Sequence, residues 1–350
     1  MIPNYKNIHN RFKINGFHLD KEALFQLAYS FIKEGALFEK EIGEFLLDWL
    51  DESSTIQLMT SGTTGEPKLI TLEKQAMVFS AIATANFFDL HPGDKALLCL
   101  PTRYIAGKMM LVRAFTIGLE LDIMPSTSHL NSLLPQNKYD FVALVPLQVQ
   151  QSLAKLNQFK KIIIGGAPVS KSLSDLLQHH KCEVYETYGM TETITHIAAK
   201  KIGEETFKVL PTISISADER DCLVINAATI SVDPIITNDI VQIVNEHEFK
   251  WIGRFDNIIN SAGIKLFPEQ IATKLSSIIT QRFFIAGVPD ETLGQKVILV
   301  IEGKKYTINK LLFASLEKYE RPKEIYFVSS FVMTETNKIN TKKTLNKLGF

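Results

Sequence analysis

Between residues 96 and 185 the chain alternates short apolar runs with helical patterns. Ala96–Leu100, Phe141–Val145, Lys161–Ile164 and Cys182–Tyr185 read as buried strands, and Ser170 stands where it can cap the helix before the last of them. Strands alternating with helices predict an α/β fold, a mainly parallel sheet flanked by helices. Ligands in such folds collect at the carboxyl ends of the strands. Ser61-Gly62-Thr63, Gly165-Gly166-Ala167-Pro168 and Tyr188-Gly189-Met190-Thr191-Glu192 are all expected there.

The first of these belongs to the most specialised stretch of the chain. Thr60 to Lys68 holds four hydroxyl side chains, two glycines and a lysine in nine residues. Gly62 and Gly65 let backbone N–H groups approach phosphate oxygens, the hydroxyls of Thr60, Ser61, Thr63 and Thr64 add donors, and Lys68 adds a point charge. The Walker A pattern fails here. Counted from Gly62, its second glycine is Pro67, which has no N–H, and its Ser/Thr is Leu69. A P-loop kinase or GTPase is therefore not expected, while phosphate binding is.

The rest of the chain bounds the partners. Lys+Arg equals Asp+Glu over 350 residues, so the formal net charge is zero and no basic field invites nucleic acid. Cys99, Cys182 and Cys222 lack C-x-x-C spacing, which predicts inert thiols rather than a metal or disulfide site. His179-His180 ends a helical pattern, where adjacent residues do not face one way, so a surface position is expected. No apolar run approaches the ~20 residues of a membrane helix. The N-terminus lacks an apolar signal core, so a cytoplasmic location is expected.

Residues 20–51 read as two amphipathic helices split near Gly35. A helix is expected from Thr71, with Thr71 as N-cap, ending before His91-Pro92-Gly93. From about Pro211 the texture becomes β-rich, with strands expected at Leu223–Ile225, Ile230–Val232, Ile240–Val244 and Phe249–Ile252, read as a small antiparallel subdomain. A compact α+β segment follows Gly253-Arg254-Phe255-Asp256. The expected domains are therefore 1–255 and 256–350.

Several separated motifs agree in order and spacing with one family. The 60–68 loop, Gly165-Gly166-Ala167-Pro168, Tyr188-Gly189-Met190-Thr191-Glu192-Thr193, Thr237-Asn238-Asp239, Gly253-Arg254-Phe255-Asp256-Asn257, Gly263-Ile264-Lys265 and Thr336-Asn337-Lys338-Ile339 resemble the acyl-adenylate-forming superfamily of acyl-CoA synthetases, luciferases and adenylation domains. The resemblance implies a carboxylate that attacks the α-phosphate of ATP, and an acyl-AMP then captured by a thiol, usually CoA. It implies that Thr60, Ser61, Gly62, Thr63, Thr64, Gly65 and Lys68 hold the β- and γ-phosphates, and that Gly166, Ala167 and Pro168 let adenine approach the backbone. Tyr188, beside Gly189, would stack on adenine. Thr191 would donate to the α-phosphate, Glu192 would bind Mg2+, and Asp239 and Arg254 would hold ribose or phosphate. Lys338 would be the catalytic cation. Asp256 would be the hinge of a small mobile C-terminal domain that brings Gly263 and Lys265 to a CoA channel.

The chain departs from that family at Asn238 and Asn337, where glycine is usual; asparagine tolerates a positive φ, so a turn at either position is expected to survive. Arg103-Tyr104 stands where an aromatic-His pair is common. Typical members are considerably longer, mostly before the phosphate loop. The segment Pro101–Ala114 looks most like that of the o-succinylbenzoate–CoA ligases of menaquinone synthesis. Ile105, Met109 and Met110 could line an aromatic site there, and Arg103, Lys108 or Arg113 could pair a second carboxylate. The alternatives are a ligase for another aryl or acyl acid, an adenylation enzyme that loads a carrier protein, and a nucleotide-binding regulator without catalysis. The oligomeric state is left open, a homo-oligomer included.

Overall fold

Asn15 and Gly16 turn the first hairpin at positive φ, 49° and 84°, joining β1 (Lys13–Ile14) to β2 (Phe17–His18). Asn-Gly reaches that conformation at little strain. The computed structural model describes residues 3–59, 69–276, 278–334 and 339–350. The two helices expected next are α1 (Lys21–Glu34) and α2 (Leu37–Leu50). The Asp20 carboxylate accepts the Ala23 N–H at 2.9 Å and starts the first. Leu24 and Ala28 of one helix and Ile42, Phe45, Leu46 and Trp49 of the other enter the main core.

The next elements differ from expectation. β3 (Thr55–Met59) and β4 (Leu69–Glu73) pair antiparallel, from Thr55 opposite Glu73 to Met59 opposite Leu69, as a two-stranded sheet of their own. The phosphate-loop residues 60–68 connect them and lie outside the described residues. They join a hairpin and do not follow a strand of the main sheet. Thr71 is a strand residue, and α3 (Lys74–Phe88) starts later, with Glu73 at the N-cap and no side-chain cap bond. Pairing with β3 satisfies the backbone of 69–73, and a β-branched threonine suits the pleat better than the capping role assigned to it.

Then β5 (Lys95–Leu98), α4 (Ile105–Ile117), β6 (Glu120–Ile123), β7 (Tyr139–Leu144), α5 (Pro146–Gln151), β8 (Phe159–Ile164), α6 (Lys171–Leu177) and β9 (Glu183–Gly189) build the parallel region. Strands β1, β6, β5, β7, β8 and β9 lie side by side and parallel. The Ser170 hydroxyl accepts the Leu173 N–H and caps α6. β10 (His196–Lys201), β11 (Phe207–Val209), β12 (Ser214–Ala217), β13 (Cys222–Asn226), β14 (Ile235–Asn245) and β15 (Glu248–Arg254) follow, all antiparallel. They are not a separate sheet. β10 pairs with β9, so the β-rich part extends the same thirteen-stranded sheet, β12-β13-β14-β15-β11-β10-β9-β8-β7-β5-β6-β1-β2.

Ile230–Val232 is a turn rather than the expected strand, and Val232 is 98% exposed. The Ile230 and Ser231 amides both return to the Ala227 carbonyl, the Ser231 hydroxyl donates to the Asp233 carbonyl, and Pro234 has no donor for a ladder. Asn238, assigned to a turn from the sequence, lies inside β14 and is not among the positive-φ residues.

A 3-10 turn, Phe255–Asn257, leads to a second, five-stranded sheet. It comprises β16 (Ile259–Ser261), β17 (Ile264–Leu266), β18 (Phe283–Asp290), β19 (Gly294–Glu302) and β20 (Glu324–Val328), with β20 parallel to β19. Helix α7 (Pro268–Leu275) buries Ile271 and Leu275 against Val297, Leu299 and Ile301 of β19. Helix α8 (Thr341–Lys347) is capped by the Asn340 side chain.

Candidate active site

The ends of β8 and β9 bring Gly165-Gly166-Ala167-Pro168 and Tyr188-Gly189 together. Ile164 lies opposite Glu186, so the chain leaving β8 passes Thr187 and Tyr188. A Cβ on Gly165 would stand 2.9 Å from the Thr187 hydroxyl, which donates to the Ile164 carbonyl. Gly166 turns at φ 83°, and Gly166, Ala167 and Pro168 are exposed.

Beside them sits a hydrogen-bonded carboxylate. Asp239, 5% exposed, accepts the Tyr188 hydroxyl at Oδ2 (2.7 Å) and the Trp251 indole N–H at Oδ1 (3.2 Å). Arg254 Nη1 lies 3.6 Å from the same Oδ1. Two donors and a cation give this buried carboxylate the partners that burial demands. Burial and the Asp239 charge push the Tyr188 phenol far above its usual range, so it stays a donor. Its ring stands edge-on to Phe249 at 5.2 Å. Arg254 Nη2 also donates to Asp256 (3.1 Å), and the Asn238 amide approaches that carboxylate at 3.4 Å. Arg220 donates to the Asn238 Oδ1 (3.1 Å) and lies over the Phe255 ring. Tyr188, Asp239, Arg254 and Asp256 thus form one connected network.

The turn after β9 carries Thr191 and Glu192. The buried Thr193 hydroxyl accepts the Met190 N–H at 2.9 Å and lies 2.7 Å from the Thr195 carbonyl. Ile194 sits at φ 67°, a conformation costing a β-branched residue on the order of 1–3 kcal/mol. The Thr193 bonds and the nearly complete burial of Ile194 hold it there. Thr191 is half-buried and Glu192 exposed. A Cβ on Gly189 would stand 2.4 Å from the Thr195 carbonyl oxygen.

The three candidate cations of the 101–114 segment separate. Arg113, 1% exposed, reaches the far foot of this turn: Nη2 lies 3.4 Å from the Thr195 hydroxyl and 3.5 Å from His196 Nδ1. Its Nε has no partner, and burial lowers its pKa to about 9, which still leaves it charged at neutral pH. His196 Nε2 faces the Thr84 hydroxyl (3.3 Å), which itself donates to the Ser80 carbonyl. The network therefore assigns the proton to Nε2 and leaves Nδ1 to accept from Arg113. Burial and the Arg113 charge hold the His196 pKa well below its ordinary value. Lys108 and Arg103 turn instead to α2. Lys108 lies over the Phe45 ring (4.6 Å), its pKa lowered by burial against the pull of Asp48, Glu44 and Glu41. Arg103 pairs with Glu41 in water. Met109 and Met110 are fully buried in the main core, where they cannot line an open aromatic site, and Ile105 packs partly buried against it.

Gly263 turns the β16–β17 hairpin at φ 80°, and Lys265 on β17 is exposed. Thr60, Ser61, Gly62, Thr63, Thr64, Gly65, Lys68, Asn337 and Lys338 lie outside the described residues. The three thiols are free, with pKa values raised by burial, that of Cys99 to about 12. His179 is exposed, and no described group of three His, Cys, Asp or Glu side chains could cage a metal. Trp251, Arg220, Thr195 and His196 escaped sequence reasoning. Each reaches the network through a partner on another strand or loop, and only Thr237-Asn238-Asp239 and Tyr188–Glu192 flagged their neighbourhoods.

The Tyr188–Asp239–Arg254 network spans β9, β14 and β15 of the mixed sheet, beside the glycine-bearing turn that follows β8. The AMP-binding enzyme family matches residues 30–235, more than half of the chain, and the chain belongs to that family. It is similar to an AMP-forming acyl-CoA synthetase/AMP-acid ligase II-like protein of Dyadobacter fermentans, 36% identical, with 92% of this chain and 98% of that one covered and a TM-score of 0.62. The 2-succinylbenzoate–CoA ligase of a Geobacillus strain is 26% identical over 83% of this chain and 68% of that protein. The Listeria monocytogenes enzyme of the same name is 23% identical, with 92% and 80% covered. The o-succinylbenzoate CoA synthetase of Bacillus subtilis, solved with its acyl-adenylate intermediate, shares the fold at a TM-score of 0.74 and 18% identity, over 82% and 68% of the two chains.

Proposed function

We propose that this protein is an AMP-forming acid–thiol ligase that joins o-succinylbenzoate to CoA in menaquinone synthesis, through an acyl-AMP intermediate. The observation that carries the nucleotide half is the buried Asp239 carboxylate, whose oxygens keep free lone pairs for two ribose hydroxyls while Tyr188 and Arg254 flank it. Gly166, Ala167 and Pro168 then bring the backbone against adenine, and Thr191 donates to the α-phosphate. Thr60, Ser61, Gly62, Thr63, Thr64, Gly65 and Lys68 hold the β- and γ-phosphates. A single exposed carboxylate, Glu192, fits Mg2+, which binds through one or two carboxylates plus substrate phosphates. When bound, it neutralises charge on the leaving pyrophosphate. Lys338 stabilises the charge of the phosphoryl-transfer transition state. A C-terminal domain, 256–350, pivots at Asp256 so that Gly263 and Lys265 reach the CoA channel.

The names of the relatives support the choice of acid. That acid carries two carboxylates, one to react and one to be held. Of the three cations Arg113 fits the second best, because its charge meets no carboxylate among the described residues, whereas Arg103 is paired in water. No helix of the described residues is long and apolar enough to cross a membrane, and soluble cytoplasmic substrates fit that. The test is a panel of carboxylic acids with ATP, Mg2+ and CoA, read by mass detection of the thioester and by acid-dependent pyrophosphate exchange. The expected product is o-succinylbenzoyl-CoA. Exchange without CoA consumption points to a carrier-protein loader, and no exchange with any acid rejects an enzyme.

A further inference from the structure

Trp251 reaches Asp239 only because the ladder between β14 and β15 slips. Asp239 lies opposite Arg254 and Ile240 opposite Gly253, but Val241 lies opposite Trp251. Ile252 is the extra residue. Side chains alternate faces along a strand, and directly opposed residues share a face. In an unbroken ladder Ile252 would oppose Val241, and Trp251 would project from the face away from Asp239. The bulge returns Trp251 to the Asp239 face, which Arg254 already occupies, and both side chains meet Oδ1. Bulges beside binding sites commonly re-aim a side chain in this way.

We propose that Trp251 is a positioning residue for the nucleotide. Its indole N–H pins Oδ1 while the Tyr188 hydroxyl pins Oδ2, so the plane of the carboxylate is set and its remaining lone pairs stay open to the ribose. Arg254 stands at 3.6 Å, too far for a full hydrogen bond. Without the indole, Oδ1 is free to close on that guanidinium, and the ribose then competes with an ion pair. This rests on the nucleotide role of Asp239 given above.

AMP binding, which needs neither acid nor metal, tests it by calorimetry on the full chain. Trp251→Phe keeps an aromatic ring and removes the donor. It should weaken AMP about tenfold, the lower end of what a hydrogen bond to a charged group contributes. It should raise KM for ATP in acid-dependent pyrophosphate exchange by the same factor, with kcat within about twofold. A loss confined to kcat overturns the proposal. The chain has two tryptophans, and Trp49 belongs to α2 and lies in the main core. In Trp49→Phe, therefore, all indole emission comes from Trp251, and AMP should change it. This second measurement leaves Trp251 intact, so it decides the matter even where Trp251→Phe does not fold. AMP affinity unchanged in Trp251→Phe, or emission of Trp49→Phe indifferent to AMP, overturns the inference and leaves the function standing. No AMP binding by the unaltered protein removes both.

Discussion

His196 lies within the protein beside a guanidinium, and both facts disfavour its protonated form. The unfolded chain binds a proton there near pH 6.5; the native chain does not until the pH is far lower. Between those two pH values the unfolded state therefore holds more protons, and stability falls as pH falls, by up to about 1.4 kcal/mol per unit. His196→Gln, which keeps a polar side chain without the titration, should flatten the dependence between neutral pH and about pH 5. Urea unfolding at a series of pH values measures it, and equal slopes in both proteins would reject the assignment. Nothing local announces this histidine, because its burial depends on Thr84 and Arg113, both more than 80 residues away. Asp239 was different. Its position in Thr237-Asn238-Asp239 marked it in advance, while its two donors did not show.

The element that shapes the candidate catalytic turn is the tight antiparallel pairing of the end of β9 with the start of β10. A Cβ on Gly189 would meet the facing backbone, the Thr195 carbonyl oxygen at 2.4 Å and the His196 Cα at 2.5 Å. Gly189→Ala must spread the strands, at an expected cost on the order of 1–3 kcal/mol. Because Thr191 and Glu192 ride on the displaced turn, its adenylation rate should fall more than its affinity for AMP. Denaturant unfolding and single-turnover kinetics read the two effects, and an undisturbed rate would separate the turn from the chemistry. Elements with local signals were legible: Asp20 and Ser170 begin their helices as capping residues do. Thr71 carried the same signal and lost, because pairing with β3 is a contact of the whole hairpin.

At the scale of the molecule, two sheets meet at Phe255–Asn257. Asn257 donates to Glu269 of α7 (2.6 Å), and Glu269 lies so close to Gly253 that a Cβ there would be 2.6 Å from its Oε2. Asp256 stands between these contacts and the Asp239 network. If the C-terminal part changes place between half-reactions, two substitutions should divide them. Lys338→Ala should slow adenylation by on the order of 10²–10³-fold, as loss of a group stabilising transition-state charge does, and spare thiol capture of supplied acyl-AMP. Asp256→Pro should slow thioester formation more than adenylation. Half-reactions assayed separately distinguish them, and equal losses in both would count against a moving lobe.

Strands β5, β7, β8 and β9 of the parallel core, their alternation with helices, and the strings that resemble the adenylate-forming family follow from the sequence itself, while the short strands β1 and β6 gave no signal in it. Each rests on local periodicity, capping and turn chemistry, which act within a few residues. Tertiary structure alone decided that the β-rich part extends the main sheet, that the phosphate loop joins a hairpin, that Arg113 parts from Arg103 and Lys108, and that a one-residue slip turns Trp251 toward Asp239. Those outcomes depend on strand partners and burial, which pairing across long stretches of chain creates and no short window contains.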